Sequence, residues 1–141
     1  MNTEIFSHIN WLAVIVATLA YFMLGAVWYS KALFGSKWAA LLKLDTSNPD
    51  LKKGMGKMMA LSFLLMLIST LGLALLVVFI NFDNQIIYGI KLGLLTGGLF
   101  ASAAVSINYV YENKPSGLYL INNGYHVLGH IVAAVILIMW R

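Results

Sequence analysis

The chain has 141 residues, of which 61% are hydrophobic and only 10% are charged. A soluble domain carries about 25% charged residues, so this chain has more apolar surface than a small soluble core can bury. The composition therefore excludes an ordinary soluble domain and predicts an integral membrane protein. Cysteine is absent, which excludes a disulfide framework and a thiolate metal site.

Four mostly apolar stretches have about the 20 residues that a membrane-spanning helix needs. They are residues 11–30, 58–80, 87–109 and 118–140. A membrane barrel would need many short alternating strands instead. We therefore predict an all-α fold, an integral membrane bundle of four transmembrane helices that forms a single domain over residues 1–141.

The net charge is +4, and most of the excess lies in the loop between the first two spans. This loop, residues 31–57, carries Lys31, Lys37, Lys43, Lys52, Lys53 and Lys57. Such a cluster is a topology signal, and no nucleic-acid partner is expected. The positive-inside bias places the loop in the cytoplasm and both termini outside, with Lys91 and Arg141 as weaker opposing signals.

The same loop contains a stripe of apolar residues at helical spacing. Phe34, Trp38 and Leu41 share one face, whereas Lys37 and Lys43 lie off it. The pattern predicts a short amphipathic cytoplasmic helix, anchored at the membrane surface by Trp38 and the two lysines. A simple topology-setting loop without a helix is the alternative.

The third span has small residues at every fourth position. Gly89, Gly93, Gly97 and Ala101 fall on one helical face. Such stripes let helix backbones approach closely, as in GxxxG pairs. We predict that this helix is central to the packing, either inside the bundle or between protomers. A substrate groove along the glycines is the alternative.

The last span carries polar residues where a lipid-facing helix would have none. Asn122, Tyr125, His126 and His130 lie in its first half and middle. At about 1.5 Å per residue, the two histidines bracket the midplane of a hydrocarbon layer about 30 Å thick. Because polar groups at that depth are costly, they should face other helices, a cavity or a ligand.

Two residues on other spans are candidate partners for this polar centre. Tyr21 lies in the middle of the first span and either packs against a neighbour or hydrogen-bonds a histidine of the last span. Asn108 lies at about the depth of Asn122 in an antiparallel arrangement. We expect an interhelical amide hydrogen bond between them, worth about 0.6–2 kcal/mol.

Several segments together resemble a known family. They are Asn10–Val14, Gly25–Tyr29, Leu33–Gly35, Trp38, Asn108-Tyr109, Tyr111-Glu112, Lys114-Pro115 and Leu120–His126. In these segments the chain resembles the small four-helix bacterial membrane proteins catalogued as domain of unknown function 1761. The resemblance implies a bacterial inner-membrane location and an all-helical fold, and it brings no established activity.

The resemblance also marks a set of polar residues and glycine that match the family pattern. They are Asn108, Glu112, Asn122, Gly124, Tyr125 and His126. His130 stands outside that pattern, so a mechanism that needs both histidines is not implied by the resemblance.

Enzymatic and metal-binding functions have weak support in the sequence. His126 and His130 are four residues apart, the spacing with which a helix holds one metal ion, and one histidine could ligate haem. A zinc site needs a third ligand, and the third and fourth spans contain no carboxylate. Ser102 and Ser106 lack a recognisable nucleophile motif. We expect no cofactor and no enzyme.

Two functional hypotheses remain. In the first, the polar residues form a closed interhelical network, and the protein is a structural, assembly or accessory membrane protein. In the second, His126 exchanges protons or contacts substrate in a small transporter or channel. Four helices enclose little space, so the second hypothesis requires a homo-oligomer. The expected partners are the lipid bilayer, further copies of the chain and, in the second hypothesis, a small solute or proton.

Overall fold

The structure of the chain, a computed structural model, consists of helices joined by short connections. It describes residues 3–141 without the side chains of residues 3, 4, 51 and 52, so the side chain of Lys52 lies outside it. The elements in chain order are a 3-10 helix (Thr3–His8), α1 (Trp11–Trp28), α2 (Gly35–Leu41), a second 3-10 helix (Pro49–Lys52), α3 (Met55–Ile80), α4 (Ile86–Gly93), a π-helical segment (Leu94–Ala101), α5 (Ser102–Tyr111) and α6 (Ser116–Met139).

Four continuous helices in the described part of the chain are long and apolar enough to cross a membrane. They are α1, α3, α6 and the third span, Ile86–Tyr111, which consists of α4, the π segment and α5. The prediction of an all-α fold with four such helices is confirmed. The helix ends lie within three residues of the predicted ends.

Capping residues explain where several of these helices begin and end. The side-chain oxygen of Asn10 accepts a hydrogen bond from the backbone nitrogen of Ala13 at 3.1 Å, which satisfies one of the unpaired donors at the start of α1. Gly54 precedes α3 and Asn81 follows it, both in the left-handed conformation. Pro115, the residue before α6, has an extended backbone. A proline cannot continue a preceding helix. The spans are thus separated by defined turns.

The central helix of the bundle is α6, which packs against α1, α3 and every part of the third span. The prediction that the third span is the central helix inside the bundle is wrong, and its alternative, a position between protomers, stays a prediction. That helix packs on α6, and its far side is open, with Leu99 70% and Phe100 67% exposed. The reason is that the glycines of the third span form one stripe, and one stripe allows close approach to only one neighbouring helix. In α6, by contrast, the fully buried Ala133 and Ala134 are adjacent and therefore face different neighbours.

The glycine stripe of the third span lies directly against the backbone of α6. A Cβ atom added to Gly89 would lie 2.6 Å from the Cα atom of Val135. A Cβ atom on Gly93 would overlap the backbone of Ile131, and Gly97 continues the same contact one turn further on. The two helices therefore pack backbone to backbone, which only glycine permits at this distance.

The third span changes its helical geometry in the π segment. Each turn of a π helix closes over five residues instead of four, so the segment accommodates an extra residue. Two hydroxyls support it: Thr96 donates to the carbonyl of Leu92 and Ser102 donates to that of Gly97, each at 2.8 Å. Ala101, the last member of the predicted stripe, is half-buried at its end. Beyond the segment, the face toward α6 is shifted by one residue.

A short helix, α2, forms in the loop where the apolar stripe predicted one. The Trp38 ring packs against Tyr29 with 5.5 Å between ring centroids, and Leu41 reaches the first turn of α6. Lys37 and Lys43 are exposed. The apolar side of α2 therefore covers one end of the bundle, and its lysines point away from the protein.

Replacing Gly93 by alanine is expected to lower the melting temperature of the detergent-solubilised protein, because the new Cβ atom would overlap the backbone of α6. Overpacking of this kind costs about 1–3 kcal/mol. The matched control is Gly98→Ala on the same span, where the new Cβ atom would meet nothing within 4 Å. Thermal unfolding of both variants beside the wild type checks this, and equal melting of the two variants would contradict the backbone contact.

Candidate functional site

The two histidines of α6 meet one side chain from α1 and one from α3. The Tyr21 hydroxyl lies 2.7 Å from Nδ1 of His126 and 3.5 Å from Nδ1 of His130. The Ser69 hydroxyl lies 3.3 Å from Nε2 of His130. These four residues, here called the histidine cluster, join α1 and α3 to α6 by polar contacts.

Hydrogen-bond partners assign the proton position on each neutral imidazole ring. Nδ1 of His130 lies 2.8 Å from the backbone carbonyl of His126, which only accepts, so this nitrogen carries a proton. Nε2 of His130 then accepts from Ser69. Since Nδ1 of His130 is already a donor, the Tyr21 hydroxyl donates its proton to Nδ1 of His126. The proton of His126 is therefore on Nε2, and the two histidines are different tautomers.

A second group, here called the amide cluster, lies nearer the start of α6. The Tyr29 hydroxyl donates to the side-chain oxygen of Asn122 at 2.7 Å, and the amide nitrogen of Asn122 donates to the Tyr109 hydroxyl. The next residue, Asn123, donates to the Ser106 hydroxyl at 2.8 Å. This cluster joins the end of α1 and the second half of α5 to α6.

Tyr125 lies between the two clusters and is 4% exposed. Its ring centroid is 5.3 Å from that of Tyr21, 5.3 Å from that of Tyr29 and 5.2 Å from that of His126. Its hydroxyl donates to the backbone carbonyl of Tyr21 at 3.3 Å. The aromatic rings therefore make one continuous packed layer from the histidine cluster to the amide cluster.

Two glycines provide the space for these rings. A Cβ atom on Gly129 would overlap the ring of Tyr21, and one on Gly25 would lie 3.0 Å from the hydroxyl of Tyr125. Both positions could have been suspected from the sequence only as generic small residues. Their role depends on which ring lies opposite, and that follows from the packing of α1 against α6.

The predicted hydrogen bond between Asn108 and Asn122 is wrong. Asn108 is exposed, and the partners of Asn122 are Tyr29 and Tyr109. The physical reason is the π segment, which adds one residue before α5 and so advances its α6-facing side by one position. Tyr109 therefore occupies the place that an uninterrupted α-helix would give to Asn108.

The other predicted centre residues lie together on α6 and α1. Tyr21, Asn122, Tyr125 and His130 are buried, and His126 is half-buried. The predicted polar centre lacked five members of the clusters: Ser69, Tyr29, Tyr109, Ser106 and Asn123. Tyr29 lies at the end of a span, where a tyrosine is also typical of an anchor at the headgroup level. Ser69 carries no sequence signal, because a serine in a helix can satisfy its hydroxyl on its own backbone.

Besides Asn108 and Tyr125, two more residues that match the family pattern lie outside the clusters. Glu112 forms an ion pair with Lys114 at 3.4 Å in the exposed turn between α5 and α6. A Cβ atom on Gly124 would lie 3.1 Å from the Trp28 ring, and the Trp28 indole donates to the carbonyl of Ile121 at 3.0 Å. The ion pair and the two contacts of Trp28 all lie around the start of α6.

Three of the four ring nitrogens of His126 and His130 lie within hydrogen-bond distance of other protein groups. Both nitrogens of His130 are engaged, by the carbonyl of His126 and by Ser69. Nε2 of His126 has no hydrogen-bond partner within residues 3–141. In the same part of the chain, no three His, Asp or Glu side chains come together in a group that could hold a metal ion. The free Nε2 is therefore the polar atom of the cluster that is open to an additional partner.

These features define a class of protein: all-α, with four helices able to cross a membrane and with two polar clusters organised on the last of them. The model of the family described as "Protein of unknown function (DUF1761)" matches residues 12–138. The chain therefore belongs to the DUF1761 family, and the predicted family is confirmed. Neither a search of curated proteins nor a search of solved structures finds a match.

Deleting Leu99, an exposed residue of the π segment, is expected to convert that segment to α-helix while Gly93 and Tyr109 both keep their contacts with α6. The melting temperature should then stay close to that of the wild type. Deleting the exposed Ile107 instead, within the regular helix α5, should lower it, because Ser106 and Tyr109 can no longer both face α6. Thermal unfolding in detergent measures the difference. Equal losses in both deletion variants would contradict the one-residue insertion.

Proposed function

We propose that this DUF1761 protein is a multi-pass membrane protein with a structural, assembly or accessory role. The exposed faces of its spans support membrane residence, since they are lined with large apolar side chains such as Ile68 and Phe100, 59% and 67% exposed. The lysines of the loop between α1 and α3 support a cytoplasmic position for that loop and an outer position for both termini, in a bacterial inner membrane.

The structural role is supported by one observation: polar groups of both clusters are hydrogen-bonded to other groups of the protein. In the amide cluster, the oxygen and nitrogen of Asn122 are both bonded to tyrosine hydroxyls. In the histidine cluster, Tyr21, Ser69 and His130 are bonded to protein groups. Polar groups in lipid must find partners inside the protein. The clusters meet that demand for most of their polar atoms, with Nε2 of His126 and the side-chain oxygen of Asn123 as exceptions, and they tie α1, α3 and α5 to α6, so their function is to set the arrangement of the helices.

Replacing Asn122 by alanine is expected to lower the free energy of unfolding by about 1–3 kcal/mol, because the hydroxyls of two half-buried tyrosines, Tyr29 and Tyr109, lose their partner. Asn108→Ala is the matched control, since it removes the same amide from an exposed position of the same membrane depth. Thermal unfolding in detergent gives the comparison. If both variants melt like the wild type, the amide cluster does not set the helix arrangement.

A second candidate function rests on the free Nε2 atom of His126. Histidine is the side chain whose unperturbed pKa lies closest to physiological pH, and an ionisable residue within a span often marks a proton or ion path. His126 would then exchange protons or contact a small solute. Because four helices enclose little space, a pathway would form in a homo-oligomer, with the open side of the third span as the face between copies.

Proteoliposomes containing the wild type should, under this second candidate, conduct protons or a small solute, and His126→Ala should abolish that movement. His8→Ala, which removes an exposed histidine outside the spans, should leave it unchanged. If the wild type moves neither protons nor solute, the second candidate fails and the structural role stands alone.

A further inference from the structure

A cavity of about 370 Å³ lies at the end of the bundle opposite the lysine-rich loop. It is enclosed by the beginning of α1, the end of α3 and the end of α6. Its volume falls within the range of about 300–1,000 Å³ that small-molecule sites occupy. The histidine and amide clusters do not line it, so it is separate from the candidate site described above.

The floor of this cavity is apolar and made partly of small side chains. Ala13 of α1 and Ala74 of α3 are buried there, beside Val77 and Leu137. A hydrocarbon chain is the chemistry that such a floor accommodates.

The rim of the cavity presents hydrogen-bond donors from the side chains of two asparagines. The side-chain oxygen of Asn10 accepts from Ala13, and its nitrogen donates once to the carbonyl of Trp140 at 3.0 Å, which leaves one N–H. The side-chain oxygen of Asn81 accepts from Arg141 at 2.9 Å, which leaves both of its N–H groups. Asn10 and Asn81 therefore offer N–H donors to a ligand, while each side-chain oxygen already accepts one hydrogen bond.

Arg141 adds a positive charge to this rim. Its guanidinium donates to the carbonyls of Phe82 and Val77 and to the side chain of Asn81, so two of its five N–H groups remain. The ion pairs formed by the described side chains involve Lys53 and Lys114, and Arg141 has no carboxylate partner among them. Its contacts at the end of α3 are to the uncharged oxygens of Phe82, Val77 and Asn81.

We propose that this cavity binds an acidic lipid. The anionic head lies at Arg141 and the free N–H groups of Asn10 and Asn81, and the first part of one acyl chain lies against Ala13 and Ala74. A phosphate head of a phospholipid and a carboxylate head of a fatty acid both fit this set of donors. The shared chemistry is an anionic head on an acyl chain. The proposal goes beyond the structural role and does not depend on it.

Native mass spectrometry of the detergent-solubilised protein tests the proposal with three probes: phosphatidylglycerol, oleate and phosphatidylcholine. The expected result is one bound phosphatidylglycerol or oleate per chain, with phosphatidylcholine bound at least about tenfold more weakly. Binding of phosphatidylglycerol alone would identify a phosphate head, and binding of oleate alone a carboxylate head. Equal binding of phosphatidylcholine would overturn the proposal.

Two variants and a matched control locate the bound lipid. Arg141→Gln should lower occupancy at least about tenfold by removing the charge, and Ala74→Leu should lower it by filling the floor. Lys91→Gln removes an exposed cation of α4 that does not line the cavity, and it should leave occupancy unchanged. Unchanged occupancy in Arg141→Gln would overturn the proposal. If Ala74→Leu fails to fold, the comparison of Arg141→Gln with Lys91→Gln still decides it.

Discussion

The hydrogen bond between the Tyr21 hydroxyl and Nδ1 of His126 is the interaction on which the arrangement of the bundle depends. A polar side chain in the middle of an apolar helix must be paired, because leaving it unpaired in hydrocarbon costs several kcal/mol. Pairing His126 with Tyr21 brings α1 against α6, and Gly129 makes room for the tyrosine ring. Ser69 and Tyr109 then bring α3 and α5 to the same helix through His130 and Asn122.

The lengths and order of the spans follow from hydropathy, turn residues and lysine placement, and these were predictable within three residues. The candidate partnership of Tyr21 with a histidine was also predictable, because a tyrosine in mid-span needs an acceptor. The α6-facing side of α5 was not predictable from an ideal periodicity of 3.6 residues. The π segment adds one residue, which replaces Asn108 by Tyr109 opposite Asn122.

The choice of central helix was misjudged for a related reason. Small residues at every fourth position show that a helix approaches one neighbour closely, but they do not show how many neighbours it has. The helix with the most neighbours is α6, whose buried polar and small residues lie on several faces. A polar side chain that requires a partner is therefore better evidence for a central helix than a glycine stripe. A glycine stripe permits a close neighbour but does not require one.

The central claim is that Tyr21 donates to His126 while His130 donates to the carbonyl of His126. Nitrogen-15 NMR of the histidine-labelled protein in lipid bilayers tests it most directly, because it reports which ring nitrogen carries the proton. The account predicts a proton on Nε2 of His126 and on Nδ1 of His130, with Tyr21→Phe changing mainly the Nδ1 signal of His126. The same tautomer on both rings, or spectra that do not respond to Tyr21→Phe, would contradict it.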